Sequence, residues 1–96
     1  MAPLTIVARL KAKPGHEAEL EKELRGLVAP TRAEKGCLNY DLHRSHQDPG
    51  LFIFHENWES RELWDAHMNS PHLAAFAEKQ SSLTESWELF DGEKIG

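Results

Sequence analysis

Residues 37–58 read CLNYDLHRSHQDPGLFIFHENW, and their alternation decides the fold. From Cys37 to Arg44, Leu38, Tyr40 and Leu42 alternate with Cys37, Asn39, Asp41 and His43. A strand imposes that period of two, because successive side chains point to opposite faces. Gln47-Asp48-Pro49-Gly50 then supplies turn chemistry. Leu51 to Trp58 alternates again, with Phe52, Phe54, Glu56 and Trp58 on one side and Leu51, Ile53, His55 and Asn57 on the other. The stretch is predicted to be a hairpin with one heavily apolar face.

Working outward, Leu4 to Lys11 alternates as a strand and Lys13-Pro14-Gly15 breaks it. Leu20, Leu24, Leu27 and Val28 then recur at helical spacing. Pro30 should end or bend this helix, since proline removes a donor and crowds the preceding turn, with a bent continuation towards Gly36 left open. Downstream, Ser60 is a good N-cap before Leu63, Trp64, His67 and Met68 on one helical face. Ser70-Pro71 restarts a helix, whose stripe of Leu73, Phe76, Ala77 and Leu83 runs to about Leu83. Trp87 to Asp91 reads as a short edge strand.

The order β-α-β-β-α-β predicts a single α+β domain over residues 1–96. It is ferredoxin-like, a four-stranded antiparallel sheet with the helices on one face. The helices should cover Ile6, Tyr40, Phe54 and Trp58. Val7, Cys37, Leu51, Ile53 and Phe90 fall on the other face, more apolar surface than so small a domain leaves wet, so a second copy should cover it as a homodimer.

The composition narrows the function. With 11 basic against 16 acidic residues, a formal charge of −5 and no block of either sign, the chain lacks the basic stripe that nucleic acid requires. No apolar run reaches membrane-spanning length, and Met1-Ala2-Pro3-Leu4 lacks the basic-then-apolar layout of a signal peptide, so a cytoplasmic location is expected. The single cysteine, Cys37, has no partner for a disulfide or thiolate metal site and is expected to act as a small apolar residue. With no glycine-rich phosphate loop and no closely spaced thiolates, no metal, flavin or haem is expected.

The stretches GCLNYDLHRSHQDPGLFIFH and ENWESRELWDAHMNSPHLAAF (residues 36–76) resemble the antibiotic biosynthesis monooxygenase family. Its pattern is a Gly-Cys-Leu-x-Tyr strand, an Asp-Pro turn, Glu-x-Trp, and a helix ending His-x-x-Ser-x-His. The resemblance spans nearly the whole chain and implies a dimeric α+β barrel. It also implies a cofactor-free oxidoreductase that oxidises an electron-rich quinol or polycyclic phenol with O2. The same fold serves isomerases of small hydroxy-keto metabolites and non-catalytic dimeric binding modules. Its haem-degrading relatives are disfavoured, because His67 and Ala77 stand where their Trp and axial His would align.

Such chemistry needs a base for a phenolic proton and an aromatic cavity for a planar ring. Tyr40, Phe54 and Trp58 have parity towards the helices, and Trp64 and His67 share the face that turns back to meet them. His67 is the candidate base and His72 the second, since an unperturbed imidazole titrates near pH ~6.5. Glu56, on the apolar face, requires a partner, for which a histidine on the covering helices is expected. The plainer readings are that Trp58 and Trp64 are core or dimer residues, that the histidines cap helix ends, and that Glu56 makes a structural pair with His67 or Arg61. His67, His72 and Glu56 would also make a two-His, one-carboxylate metal set, but five residues across a Ser-Pro break is not chelating spacing on one helix.

Overall fold

Seven elements follow one another in the computed structural model, which describes residues 3–96. Met1 and Ala2 lie outside the described residues, as does the part of the leader reading that rests on them. The elements are β1 (Leu4–Ala12), α1 (Glu17–Arg32), β2 (Cys37–Arg44), β3 (Leu51–Trp58), α2 (Arg61–Met68), α3 (Pro71–Leu83) and β4 (Thr84–Gly92). The strands form one antiparallel sheet in the order β2-β3-β1-β4, the ferredoxin-like arrangement that the alternation predicts. No helix among the described residues is long and apolar enough to cross a membrane.

The helix-facing side of the sheet holds the core. Leu10 pairs with Phe52, Ala8 with Phe54 and Ile6 with Glu56, so these side chains share one face. Ile6, Phe52, Phe54 and Trp58 are buried there against Leu20, Leu24 and Leu27 of α1 and Phe76 and Leu83 of α3. Burial of each such side chain contributes about 1.5–3 kcal/mol, which holds the helices to the sheet. No helix among the described residues covers the second sheet face. Val7, Leu51 and Ile53 are half-buried on it, and Phe90, opposite Val7, is 58% exposed.

Three local expectations are corrected and one alternative is decided. α1 does not end at Pro30 but continues to Arg32, the continuation that the sequence left open. The missing donor costs one bond in the final turn, while Leu27 and buried Thr31 keep that turn packed. A register shift between Cys37 and Asn39 brings Cys37 opposite Trp58 and against the core, and leaves Leu38 53% exposed. One extra residue in the strand reverses the parity that simple alternation assigned to both. Ala77 lies on the solvent side of α3. β4 is nine residues long and starts at Thr84 directly after α3, because it pairs with β1 along almost its full length.

Candidate active site

Two histidines from consecutive helices meet one carboxylate that lies more than thirty residues upstream. After α1 the chain turns tightly, with the Glu34 amide donating to the Thr31 carbonyl (3.0 Å) and the Cys37 amide to the Glu34 carbonyl (3.3 Å). Gly36 takes φ +87°, and a Cβ there would lie 2.4 Å from Leu63 Cδ1, so only glycine lets this turn press against α2. His67 occupies the last turn of α2. Ser70 caps α3 by accepting from the Leu73 amide (3.4 Å), Pro71 opens the helix and His72 follows it.

Glu34 Oε2 lies 2.7 Å from His67 Nδ1 and 2.9 Å from His72 Nε2. A carboxylate oxygen only accepts, so each nitrogen carries the proton and donates. The neutral His67 ring therefore keeps its lone pair on Nε2. Burial pulls His67 below its ordinary value of 6.5 and outweighs the opposing bond to Glu34, leaving the imidazole neutral at pH 7. Its ring sits 4.7 Å from that of Trp58 and meets Tyr40 edge-on at 5.5 Å, while Tyr40 stacks on Phe54 at 4.5 Å.

His67 lines a cavity of about 110 Å³ between the sheet and the helices. Of the residues the sequence proposes, Tyr40, Phe54, Glu56 and Trp64 line it too. Trp58 does not. It is fully buried beneath His67 and supports the ring instead. His72 stands behind Glu34, also within 3.3 Å of Ser70 Oγ, away from the cavity wall. Leu73 and Phe76 add hydrocarbon, and Met68, Trp87 and Leu89, which are 40–56% exposed, mark the mouth.

The expected pairing of Glu56 with a histidine is replaced. Glu56 Oε1 accepts from Trp58 Nε1 at 2.9 Å, and Glu34 takes the place beside His67. Side chains two apart on a strand share a face, which makes Trp58 the nearer donor. Arg61 does not serve Glu56 either. It clamps Asp91 through two bonds of 2.8 and 2.9 Å and lies over Trp64. Burial, assisted by the charge of Glu34 and opposed by the Trp58 bond, pushes Glu56 up to about 7. Burial and then Glu56 push the Tyr40 hydroxyl far above its usual range, so Tyr40 stays protonated.

Glu34 is the residue that sequence reasoning missed. It belongs to no periodic stretch, and only the turn beside Gly36 brings it to the histidines. The ligand atoms of Glu34, His67 and His72 lie within 4.8 Å of one another, so the two-His, one-carboxylate set exists with Glu34 in place of Glu56. A cation there would have to displace two charge-assisted hydrogen bonds.

Comparisons with known proteins agree with this architecture. The structure of PA3566 from Pseudomonas aeruginosa superimposes with a TM-score of 0.96 at 38% identity, covering 100% of this chain and 97% of that one. Rv0793 from Mycobacterium tuberculosis is 38% identical over 71 residues, covering 74% of this chain and 69% of that protein, and its structure gives a TM-score of 0.92. The Escherichia coli K12 protein named "Probable quinol monooxygenase YgiN" is 26% identical over 85 residues, covering 78% of this chain and 82% of that protein. The chain spans 55% of the length of a cyanobacterial relative. The profile of one family, antibiotic biosynthesis monooxygenase, matches residues 3–79. With that match, the shared fold and these relatives, the chain belongs to the antibiotic biosynthesis monooxygenase family.

Proposed function

We propose that this protein is a cofactor-independent monooxygenase that oxidises a single-ring quinol with O2, His67 Nε2 taking the phenolic proton. The observation that carries this reading is a neutral imidazole, held at Nδ1 by Glu34, in the wall of an aromatic cavity. A neutral imidazole offers its free nitrogen lone pair to a phenolic proton, and the apolar wall favours a planar ring over water. The cavity volume sets an upper limit of one ring. An apolar cavity of about 150 Å³ holds benzene, so the roughly 110 Å³ here takes most of a single ring, the remainder and its substituents projecting past Met68 and Trp87. A polycyclic phenol would need the β4 wall to move. The hydroxy-keto isomerase reading has less support, since the lining offers few polar groups for a hydroxyl-rich substrate.

Oxygen uptake with a substituted hydroquinone tests the assignment. Uptake with matching loss of quinol is expected from the wild type, and His67→Ala should lower it by about 10²–10⁴-fold while the circular dichroism spectrum is retained. No uptake by folded wild-type protein would defeat the activity; full uptake by the variant would defeat the role of His67.

A further inference from the structure

Glu56 is a buried acid to which the base chemistry of His67 gives no task. It is 4% exposed and lines the cavity. Its Oε1 is fixed by the Trp58 indole, and its Oε2 has no hydrogen-bond partner among the described residues. Among the described residues the one fully enclosed side-chain polar atom without a partner is Thr31 Oγ1, so Oε2 keeps contact with the cavity space. No lysine or arginine pairs with this carboxyl. The titratable groups around it are Glu34 from the turn after α1, Cys37 and cross-strand Tyr40 on β2 and cavity-lining His67 on α2, while Arg9 and Glu88, which also line the cavity, pair with each other. Farther along the same sheet row stands Asp91, paired with Arg61. A carboxyl so enclosed holds its proton near neutrality, as its raised value of about 7 reflects. The cavity thus joins a neutral imidazole to an acid that keeps its proton up to about pH 7, the separation of affinities that assigns base and acid roles.

We propose that Glu56 is the proton donor of the oxygen half-reaction, an inference that rests on the quinol-oxidising reading above. His67 takes the phenolic proton, and the quinol anion reduces O2 to the peroxide level as a ring carbon forms a C–O bond. Glu56 protonates the outer peroxide oxygen. Its carboxylate then removes the hydrogen from the same carbon, and the C–H electron pair becomes the second C–O bond of a carbonyl. The O–O bond breaks, and hydroxide leaves as water with the proton held on His67. Quinol and O2 become hydroxyquinone and water, and both residues regain their starting states. Without the acid, the peroxide is lost from carbon, and the products are quinone and H2O2.

The test is Glu56→Gln, whose carbonyl still accepts the Trp58 N–H but which has no proton to give. Quinol turnover is followed by O2 uptake, H2O2 release and hydroxyquinone formation together. The variant is expected to consume O2 still, with H2O2 per O2 rising from below about one tenth to above about one half at every pH. In the wild type, which needs no substitution, the same leak should rise as pH passes about 7 and Glu56 ionises. Coupled hydroxyquinone formation by the variant, or a leak that ignores pH in the wild type, overturns the proposal while leaving the monooxygenase reading intact. A wild type that consumes no O2 overturns both.

Discussion

At the scale of single residues, the site depends on two carboxylates in unlike surroundings. Glu34 is satisfied by two imidazole donors, whereas Glu56 has only an indole N–H and a hydrocarbon wall. That difference gives the folding stability a pH dependence of definite sign. The folded state holds the Glu56 proton up to about pH 7, whereas an unfolded glutamate releases it near 4.5. Stability contributed by this group is present below 4.5 and falls as pH rises to about 7, by about 3 kcal/mol in all, then stays flat. His67 has the opposite slope, since its lowered value means that stability is lost as pH falls below 6.5. His67 is common to wild type and Glu56→Gln, so the difference between their urea-unfolding free energies isolates the carboxyl. The variant's advantage should grow from near zero at pH 4.5 to about 3 kcal/mol above pH 7. A constant difference across that range would show that Glu56 titrates normally.

Among elements, the turn between α1 and β2 has the largest effect on the site. It must pass close beneath α2 to deliver Glu34, and the positive φ and missing side chain of Gly36 make that approach sterically allowed. Gly36→Ala forces a Cβ into Leu63 on a backbone that L-residues avoid, and should cost about 1–3 kcal/mol. Gly26, inside α1, meets nothing within 4 Å of an added Cβ, so Gly26→Ala should instead stabilise by about 0.5–1 kcal/mol. Denaturant titration of both variants reads the contrast, and equal effects would mean that the turn does not constrain the fold. The break between α2 and α3 works with this turn. Ser70 and Pro71 stop one helix and start the next, which lets His67 and His72 reach the same oxygen although five residues separate them.

For the whole molecule, the sheet has two faces and helices for only one. Val7, Ile53 and Phe90 remain on the uncovered side. A polar row crosses the same face, from Thr5 through Asn57 to Asn39, with bonds of 2.6 and 2.8 Å. We expect a second copy to pack there, the apolar residues supplying association and the amide row its register. In sedimentation velocity at micromolar concentration the wild type should run as a dimer and Ile53→Arg as a folded monomer. A monomeric wild type would remove this expectation without touching the cavity, which lies on the other face of the sheet.

The amino-acid sequence by itself determined the element order, the antiparallel sheet and which face of β3 is buried. Alternation and helical spacing are local properties that a chain expresses wherever it folds. The same periodicity brought Tyr40, Phe54, Trp64 and His67 to one cavity, but it counted Trp58 among the lining and gave Glu56 only a place beside a histidine. It could not register the extra residue at Cys37–Asn39, since a bulge depends on pairing with β3, nor decide whether α1 ends at Pro30 or continues, since packing of the last turn outweighs one lost bond. Tertiary structure alone decided the partners. Glu34 reaches His67 across 33 residues through a turn that only Gly36 permits, and Glu56 is taken by the indole two residues away. Hydrogen bonds between side chains are set by distances of a few ångströms after packing, a quantity that neither period encodes.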